Sequence, residues 1–295
     1  MKFKALQDLY NEFDFRPNKK LGQVFLIDEN VLSKLARYAD IKETDYLLEI
    51  GPGFGSLTRH LIGKAGKIIA VEKDKKLCVM IYEYLKINSS VIDVVCSDIL
   101  DFDIDALMRR LGKKVKVIGN LPYYLTTPII LYLIKHKYCL YSMQLTIQKE
   151  VAQRLVAKPS SKEYGFLTLL VQFHFEVEKL FDISKNCFSP VPEVDSTALK
   201  LTVPDVARYK VGDEALLFKL IDLGFKQRRK TIANSLLSYD MLKRNKKGLM
   251  HLLDMSRIEY KKRAEDLSLE DYVRLTGILA KAHDPHAKNK INNNP

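Results

Sequence analysis

The chain has 295 residues, of which 47% are hydrophobic, which is enough apolar material for a substantial core and excludes a wholly disordered protein. No apolar run approaches the roughly 20 residues needed to cross a bilayer. The N-terminal segment also lacks the apolar stretch of a secretory signal. We therefore expect a cytoplasmic protein without a membrane partner.

The formal net charge of +12 favours a polyanionic partner, because a uniformly solvated surface mixes charges of both signs more evenly. Residues 219–263 contain 13 Lys and Arg against 4 Asp and Glu, so most of the excess lies in one C-terminal stretch. A solvated helical surface is the alternative interpretation. The cysteines lack disulfide or metal-ligand spacing, so we expect no metal; they are Cys78, Cys96, Cys139 and Cys187.

Short apolar runs alternate with helical patterns over the first half of the chain. The predicted strands are 46–50, 67–72, 93–98, 115–120 and 141–148. The predicted helices between them are 56–63, 74–86 and 128–136. This alternation is typical of a doubly wound α/β fold, whose parallel strands all end at one ligand-binding edge.

The pattern changes in the second half of the chain. Two strand-like runs, 176–183 and 197–203, are joined by a Pro-containing loop without a helix, which predicts an antiparallel final strand pair. From about residue 213 the apolar spacing is helical. The sequence therefore predicts a mostly parallel sheet followed by a small all-helical C-terminal domain.

A glycine loop follows the first predicted strand. Gly51, Gly53 and Gly55 have the spacing G-x-G-x-G, which by itself fits either a plain turn or a cofactor loop. Glu72 ends the next strand, where a carboxylate can accept hydrogen bonds from ribose hydroxyls. Asp98 ends the third strand and is placed to meet an adenine amino group. Together they predict an adenosine-containing cofactor, either NAD or S-adenosylmethionine.

Asn120, Leu121, Pro122 and Tyr123 follow the fourth predicted strand. The exocyclic amine of adenine is a poor nucleophile, because its lone pair is delocalised into the ring. An Asn oxygen and a backbone carbonyl beside proline can accept its two N–H bonds and aim the nitrogen at a methyl group. The Tyr123 ring offers base stacking worth roughly 1–3 kcal/mol. The tetrapeptide favours methyl transfer to an amino nitrogen over the alternative of a simple capped turn.

Further motifs accompany this tetrapeptide and the glycine loop. They are KLGQVFL at 20–26, QKEVAxR at 148–154, FxPxPxVDS at 188–196 and FxQRRK at 225–230. With them the chain resembles, from residue 19 to about 275, the ribosomal RNA adenine N6,N6-dimethyltransferases of the KsgA type. The resemblance implies a Rossmann-like S-adenosylmethionine-dependent methyltransferase that dimethylates two adjacent adenines of small-subunit (16S-type) rRNA during ribosome biogenesis.

The resemblance also assigns expected site residues. Those expected to bind S-adenosylmethionine are Gln23, Val24, Leu26, Gly51, Gly53, Glu72, Asp98 and Asn120. The expected catalytic residues are Asn120, Leu121, Pro122, Tyr123 and Phe188, with Phe188 stacking on the target adenine opposite Tyr123. Two positions depart from the family: Val24 stands where Asn or His is usual, and Tyr124 stands where Asn is usual.

The resemblance and the charge pattern together predict the domains and the partner. The domains expected are an N-terminal extension at 1–18, the methyltransferase domain at 19–204, a helical RNA-binding domain at 205–284 and a disordered tail at 285–295. The expected RNA-binding residues are Lys226, Arg228, Arg229, Lys230, Lys243 and Arg244. We expect a monomer that acts on the rRNA of a small-subunit precursor particle.

Three alternatives remain at this point. A large-subunit rRNA methyltransferase of the resistance type shares the glycine loop and the Asn-Leu-Pro-Tyr segment, but the basic 227–230 segment favours the small-subunit enzyme. A ribosome-assembly factor without catalysis would not need Asn120, Tyr123, Glu72 and Asp98. An NAD-dependent dehydrogenase explains neither the tetrapeptide nor the basic helical domain.

Overall fold

A computed structural model describes residues 8, 10–18, 21–86, 91–239, 242 and 246–283. The chain divides into two compact units. Unit one consists of the described residues of 1–152 and 175–203, and unit two consists of those of 153–174 and 204–295. The expected tail at 285–295 and most of the first nine residues lie outside the described residues.

Unit one contains a seven-stranded sheet and a separate pair of short strands. Its strands are β1 (Phe25–Leu26), β2 (Tyr46–Ile50), β3 (Lys67–Glu72), β4 (Ile92–Cys96), β5 (Val115–Asn120), β6 (Leu140–Gln148), β7 (Glu176–Ile183), β8 (Phe188–Ser189) and β9 (Ser196–Thr202). The large sheet has the order β4-β3-β2-β5-β6-β9-β7. The first five strands in this order, β4, β3, β2, β5 and β6, run parallel to one another, and β9 is antiparallel to both β6 and β7. The predicted fold class, with its antiparallel final pair, is confirmed.

The central strands are apolar because both faces of the sheet are covered. In β3, for example, Ile68, Ile69, Ala70 and Val71 are all at most 2% exposed, so no polar alternation is possible. The helices of unit one are α1 (Glu29–Tyr38), α2 (Thr58–Leu61), α3 (Lys75–Leu85), α4 (Ile104–Leu111), α5 (Thr126–Lys135) and the first residues of α6 (Lys149–Leu155).

Aspartates fix the starts of three of these helices. The side chains of Asp28, Asp74 and Asp103 accept hydrogen bonds from backbone N–H groups in the first turns of α1, α3 and α4. Each satisfies a donor that the helix leaves unpaired and places negative charge at the positive end of its dipole. The cap of α3 also places the start of that helix beside the end of β3, where Glu72 lies.

The short antiparallel pair of β1 and β8 joins two distant parts of the sequence. Phe25 is paired with Ser189, and Leu26 is paired with Phe188. The ring of Phe25 packs in an aromatic cluster with Tyr10, Phe15 and Phe54. This cluster attaches described residues of the N-terminal segment to the core of unit one.

Unit two is helical. Besides the end of α6 it contains α7 (Phe166–His174), α8 (Glu214–Lys226), α9 (Ile232–Leu236), α10 (Lys246–Met255) and α11 (Leu269–His283). The sequence places 153–174 with the methyltransferase domain, whereas in the structure these residues belong to unit two. The reason is apolar packing: Tyr164, Leu169 and Phe173 share one core with residues of α8 and α11. The Tyr164 hydroxyl also donates to the Leu267 carbonyl.

Among the residues that the structure describes, no helix is both long and apolar enough to span a membrane.

Two helical glycines in unit two give opposite predictions for the same substitution. Alanine normally favours a helix over glycine by up to about 1 kcal/mol. A Cβ at Gly224 would lie 2.9 Å from the Ala264 Cβ and from the Tyr272 hydroxyl, whereas a Cβ at Gly277 would meet nothing within 4 Å. Gly224→Ala should therefore lower the free energy of unfolding by roughly 1–3 kcal/mol, and Gly277→Ala should raise it. Urea denaturation of both variants tests this, and equal stabilisation of both would contradict the packing.

Candidate active site

The carboxyl ends of β2, β3 and β5 border a cavity of about 1120 Å³, a volume that includes its open mouth. Gly51 and Gly53 line it and have φ angles of +66° and +59°, a backbone conformation that side chains rarely adopt. A Cβ at Gly53 would lie 2.9 Å from the Phe25 ring. Glycine is therefore needed there both for the turn and for the close packing of β1.

Glu72 ends β3 and points into this cavity. Its side chain is buried, and its two oxygens accept the backbone N–H groups of Gly53 at 3.1 Å and Asp74 at 2.8 Å. Burial raises the pKa of Glu72, while these two hydrogen bonds oppose the rise. These backbone N–H groups do not use all the lone pairs of the two oxygens, so the carboxylate can accept hydroxyl hydrogens from a ligand.

Glu49 is a second buried carboxyl group on the cavity wall, and the sequence reasoning missed it. It is 2% exposed and accepts a 2.8 Å hydrogen bond from the Thr58 hydroxyl. Burial raises the pKa of Glu49 to about 7, the Thr58 bond opposes this, and the charge of Glu72 adds to it. The available signal was an acidic residue inside an otherwise apolar strand that runs into a glycine loop.

Asp98 also lines the cavity, just after the end of β4. Its side chain accepts the Leu100 N–H at 3.0 Å and the Lys73 ammonium at 2.7 Å. Burial acts to raise the pKa of Asp98, but these two hydrogen bonds outweigh it and hold the pKa below its usual value. Asp98 is therefore an ionised acceptor at neutral pH. Lys73, which the sequence reasoning did not single out, is its ion-pair partner.

Asn120 ends β5, and only one of the two polar atoms of its side-chain amide has a hydrogen-bond partner among the described residues. Its Nδ2 atom donates to the Val24 carbonyl at 3.0 Å. Its Oδ1 atom is buried and has no hydrogen-bond partner among the described residues. Because a buried acceptor without a partner is costly, this oxygen is the group of the site most in need of a donor. The backbone carbonyl of Val24 makes this contact although its side chain is not the usual Asn or His.

The residues before β1 close one side of the cavity. Gln23 is held at both ends of its amide: its Nε2 donates to Asp74 at 2.7 Å, and its Oε1 accepts the Asn18 N–H at 2.7 Å. Gln23, Val24 and Leu26 all line the cavity. The structure thus brings together all eight residues expected to bind the cofactor.

Leu121, Pro122 and Tyr123 line the cavity beside Asn120. The hydroxyls of Tyr123 and Ser196 are 2.8 Å apart and share a hydrogen bond, which ties the Tyr123 ring to β9. Burial raises the pKa of Tyr123, and the Ser196 bond opposes this, so the phenol is neutral at neutral pH. Tyr124 lines the cavity as well but is 52% exposed.

Phe188 is buried in this structure. Its ring is 1% exposed and belongs to the core that contains Leu26 and Leu32. Strand β8, which begins at Phe188, pairs with β1, and in that pair Phe188 stands opposite the cavity residue Leu26. The stacking of Phe188 on a target base opposite Tyr123 stays a prediction.

The basic residues of unit two differ in their partners. Arg228 pairs with Glu265 at 2.8 Å and donates to the carbonyls of Lys162 and Tyr164, so it links three segments of the unit. Lys226 pairs with Asp222 within α8. Arg229 and Lys230 are exposed. Lys243 and Arg244, also expected to bind RNA, lie outside the described residues.

The described residues contain no group of three or more His, Cys, Asp or Glu side chains that could hold a metal ion. The four cysteines are free thiols.

Comparison with known proteins identifies the family. Residues 14–281 match the family described as ribosomal RNA adenine dimethylase. A Clostridium botulinum (strain Loch Maree) protein named ribosomal RNA small subunit methyltransferase A is 39% identical over 273 residues, covering 92% of this chain and 98% of the relative. A Bacillus licheniformis protein of the same name is 38% identical over 277 residues, covering 92% and 94%.

Two solved structures share the architecture. A dimethyladenosine transferase from Plasmodium falciparum superposes with a TM-score of 0.74 and 25% identity, covering 85% of this chain and 95% of that one. The 23S rRNA methyltransferase ErmE has a TM-score of 0.68 and 24% identity, covering 87% and 99%, and this likeness concerns the fold alone. The resemblance drawn from the sequence motifs is confirmed by the family match and by relatives that align over nearly their whole length: the chain belongs to the ribosomal RNA adenine dimethylase family.

Proposed function

We propose that this chain transfers methyl groups from S-adenosylmethionine to the N6 amino groups of two adjacent adenines in small-subunit rRNA. The observation that carries the proposal is the buried Asn120 Oδ1, which has no hydrogen-bond partner among the described residues, while the other end of the amide is engaged and Asn120 lines the cavity. An adenine N6–H is a donor of the required kind. The small-subunit target is supported by the relatives at 38–39% identity, which carry that substrate in their name.

The cavity residues fit S-adenosylmethionine. Gly51 and Gly53 leave room for close backbone approach, Glu72 has lone pairs for ribose hydroxyls, and Asp98 is an ionised acceptor for an adenine amine. Buried carboxyl groups on the wall favour a cofactor with positive charge. The bound cofactor supplies an electrophilic methyl group on a sulfonium. NAD is disfavoured, because it is an anionic cofactor and the same cavity is lined by the buried carboxyl groups of Glu49 and Glu72.

The chain's own residues contribute alignment. Asn120 Oδ1 accepts one hydrogen of the adenine amine, and the Leu121 carbonyl, fixed by the following proline, accepts the other. Tyr123, held by Ser196, presents its ring to the base. Its raised pKa makes it unsuitable as a base at neutral pH. Orienting the nitrogen in this way accelerates the reaction through proximity. The methylated amine is cationic and loses its proton to water, so no side-chain proton acceptor is needed.

The main test incubates the protein with labelled S-adenosylmethionine and under-methylated small subunits, and mass spectrometry then maps the modified adenines.

Asn120→Ala should lower the single-turnover rate on the order of 10²–10³-fold, as expected for removal of one preorganised polar contact to the reacting group. Calorimetry should show much less change in cofactor affinity. Asn11→Ala, which alters an exposed asparagine of unit one, is the control. Full activity of Asn120→Ala, or no methyl transfer by the natural protein, would refute the proposal.

Glu49 makes cofactor binding depend on pH. Its pKa of about 7 means that the site gains a negative charge as the pH rises from 6 to 8. S-adenosylmethionine carries a net positive charge, so its affinity should increase over that interval and its binding should release protons near pH 7. Calorimetry in two buffers of different ionisation enthalpy measures the release. In Glu49→Gln both the pH dependence and the proton release should largely disappear; their persistence would assign them to another group.

The basic residues of unit two should have different roles, in RNA binding or in stability, according to their partners. Arg229→Glu with Lys230→Glu should weaken small-subunit binding and reduce the slope of log affinity against log salt by about 2, because each phosphate contact contributes roughly one counterion. Arg228→Ala should instead lower the melting temperature, because it removes the links to Glu265 and two carbonyls. Lys210→Glu with Lys281→Glu, an equal charge change at exposed positions of the same unit, is the control. An equal loss of binding in the control would contradict a specific RNA surface.

A further inference from the structure

Two consecutive tyrosines border the cavity in different environments. Tyr123 is partly buried, and its hydroxyl is tied to Ser196. Tyr124 is 52% exposed and lies on the same short turn, Tyr123–Leu125, that follows the Asn120–Pro122 segment. Tyr124 is therefore a largely accessible aromatic ring among the residues that line this cavity.

The backbone of Gly22 supports the Tyr124 ring. A Cβ at position 22 would lie 3.0 Å from both Cδ1 and Cε1 of that ring, so the ring packs on a residue that has no side chain. Gly22 also has a φ of +61°, which itself favours glycine. One side of the ring is therefore held, while more than half of the side chain stays open to solvent. A ring fixed in this way loses little conformational freedom when a ligand stacks on it.

A cation lies on the same cavity wall. Lys73 is exposed, pairs with Asp98 and lines the cavity together with Tyr124. An open aromatic ring combined with an ammonium group suits a nucleotide, because bases stack on aromatic faces and phosphates attract cations. The arrangement is less suited to an apolar peptide, which would offer the ammonium no acceptor beyond Asp98.

We propose that Tyr124 forms a second base subsite at the cavity mouth, where it stacks the nucleotide next to the target adenine. This inference rests on the proposed function. The target amine must reach the buried Asn120 Oδ1, which places the target base inside the cavity against Tyr123. A base in that position leaves the exposed Tyr124 ring to the adjoining nucleotide of the strand. Because purines stack more extensively than pyrimidines, the subsite favours a purine neighbour, which the proposed substrate supplies as an adenine.

The test compares Tyr124→Ala, Tyr124→Phe and Tyr138→Ala in single-turnover methylation of under-methylated small subunits. Tyr138 is the matched control, because it is 70% exposed in the same unit but does not line the cavity. Tyr124→Ala should raise the subunit concentration for half-maximal rate roughly 5- to 100-fold, the effect expected from the loss of one base–aromatic stack. The maximal rate and the calorimetric affinity for S-adenosylmethionine should change less than about threefold. Tyr124→Phe should retain the natural behaviour, and thermal melting checks that each variant folds.

A second measurement identifies what lies on the ring. Subunits are reconstituted from transcribed rRNA in which the adenine beside the target is replaced by uracil. This change should raise the subunit concentration for half-maximal rate of the natural protein. It should have little additional effect on that of Tyr124→Ala, because the aromatic stacking partner is already missing.

Three other outcomes would contradict the proposal that Tyr124 stacks the neighbouring nucleotide. An unchanged half-saturation value in Tyr124→Ala would show that nothing stacks there, and a weakened cofactor affinity would show that the ring covers the cofactor instead. A lower maximal rate with unchanged half-saturation would place Tyr124 in the methyl-transfer step. If the natural protein methylates no small subunit, the proposed function fails first, which is distinguishable from failure of the subsite alone.

Discussion

The hydrogen bond from Asn120 Nδ2 to the Val24 carbonyl determines which atom of the amide is left without a partner in the described part of the chain. An asparagine side chain can present either a donor or an acceptor, and only the acceptor is useful toward an amine. The parallel sheet places Asn120 at the end of β5, and the pairing of β1 with β8 holds the chain that carries Val24. The chemistry thus depends on a backbone carbonyl that is far from Asn120 in sequence. The same fact explains how valine can occupy a position where the family usually has a polar residue.

Three acidic groups line the cavity, and their environments shift their pKa values in different directions. Asp98 keeps its charge at neutral pH because Lys73 and a backbone N–H stabilise it. Glu72 and Glu49 are buried, and burial raises the pKa of each carboxyl group. A bound cation would reverse much of that effect, because it restores the favourable interaction that the carboxylates lost on leaving water. Binding of a cationic ligand should therefore stabilise the ionised forms of these buried carboxyl groups.

Much of the fold could be predicted from the sequence. The strands of the parallel sheet are continuous apolar runs, and the acids, the glycines and Asn120 all follow strands whose ends share one edge, so their convergence follows from topology. The burial of Phe188 could not be predicted, because it results from pairing with a two-residue strand that has no periodic signal. The packing of 153–174 in the helical unit could not be predicted either, because apolar residues such as Leu169 could be buried in the core of either unit. Burial in one core rather than another is a tertiary property.

Adjacent residues of the same type show that a sequence motif does not indicate the partners of each side chain. Arg228 and Arg229 are adjacent in one basic motif, yet Arg228 is bound to Glu265 and two carbonyls while Arg229 is exposed. Tyr123 and Tyr124 differ in the same way, one tied to Ser196 and the other resting on Gly22. In each pair the first side chain is tied by hydrogen bonds to other segments of its unit, even though Arg228 is itself exposed. A motif can therefore indicate the chemistry of a segment, whereas the partners of each side chain decide which residue stabilises the fold and which is available to RNA.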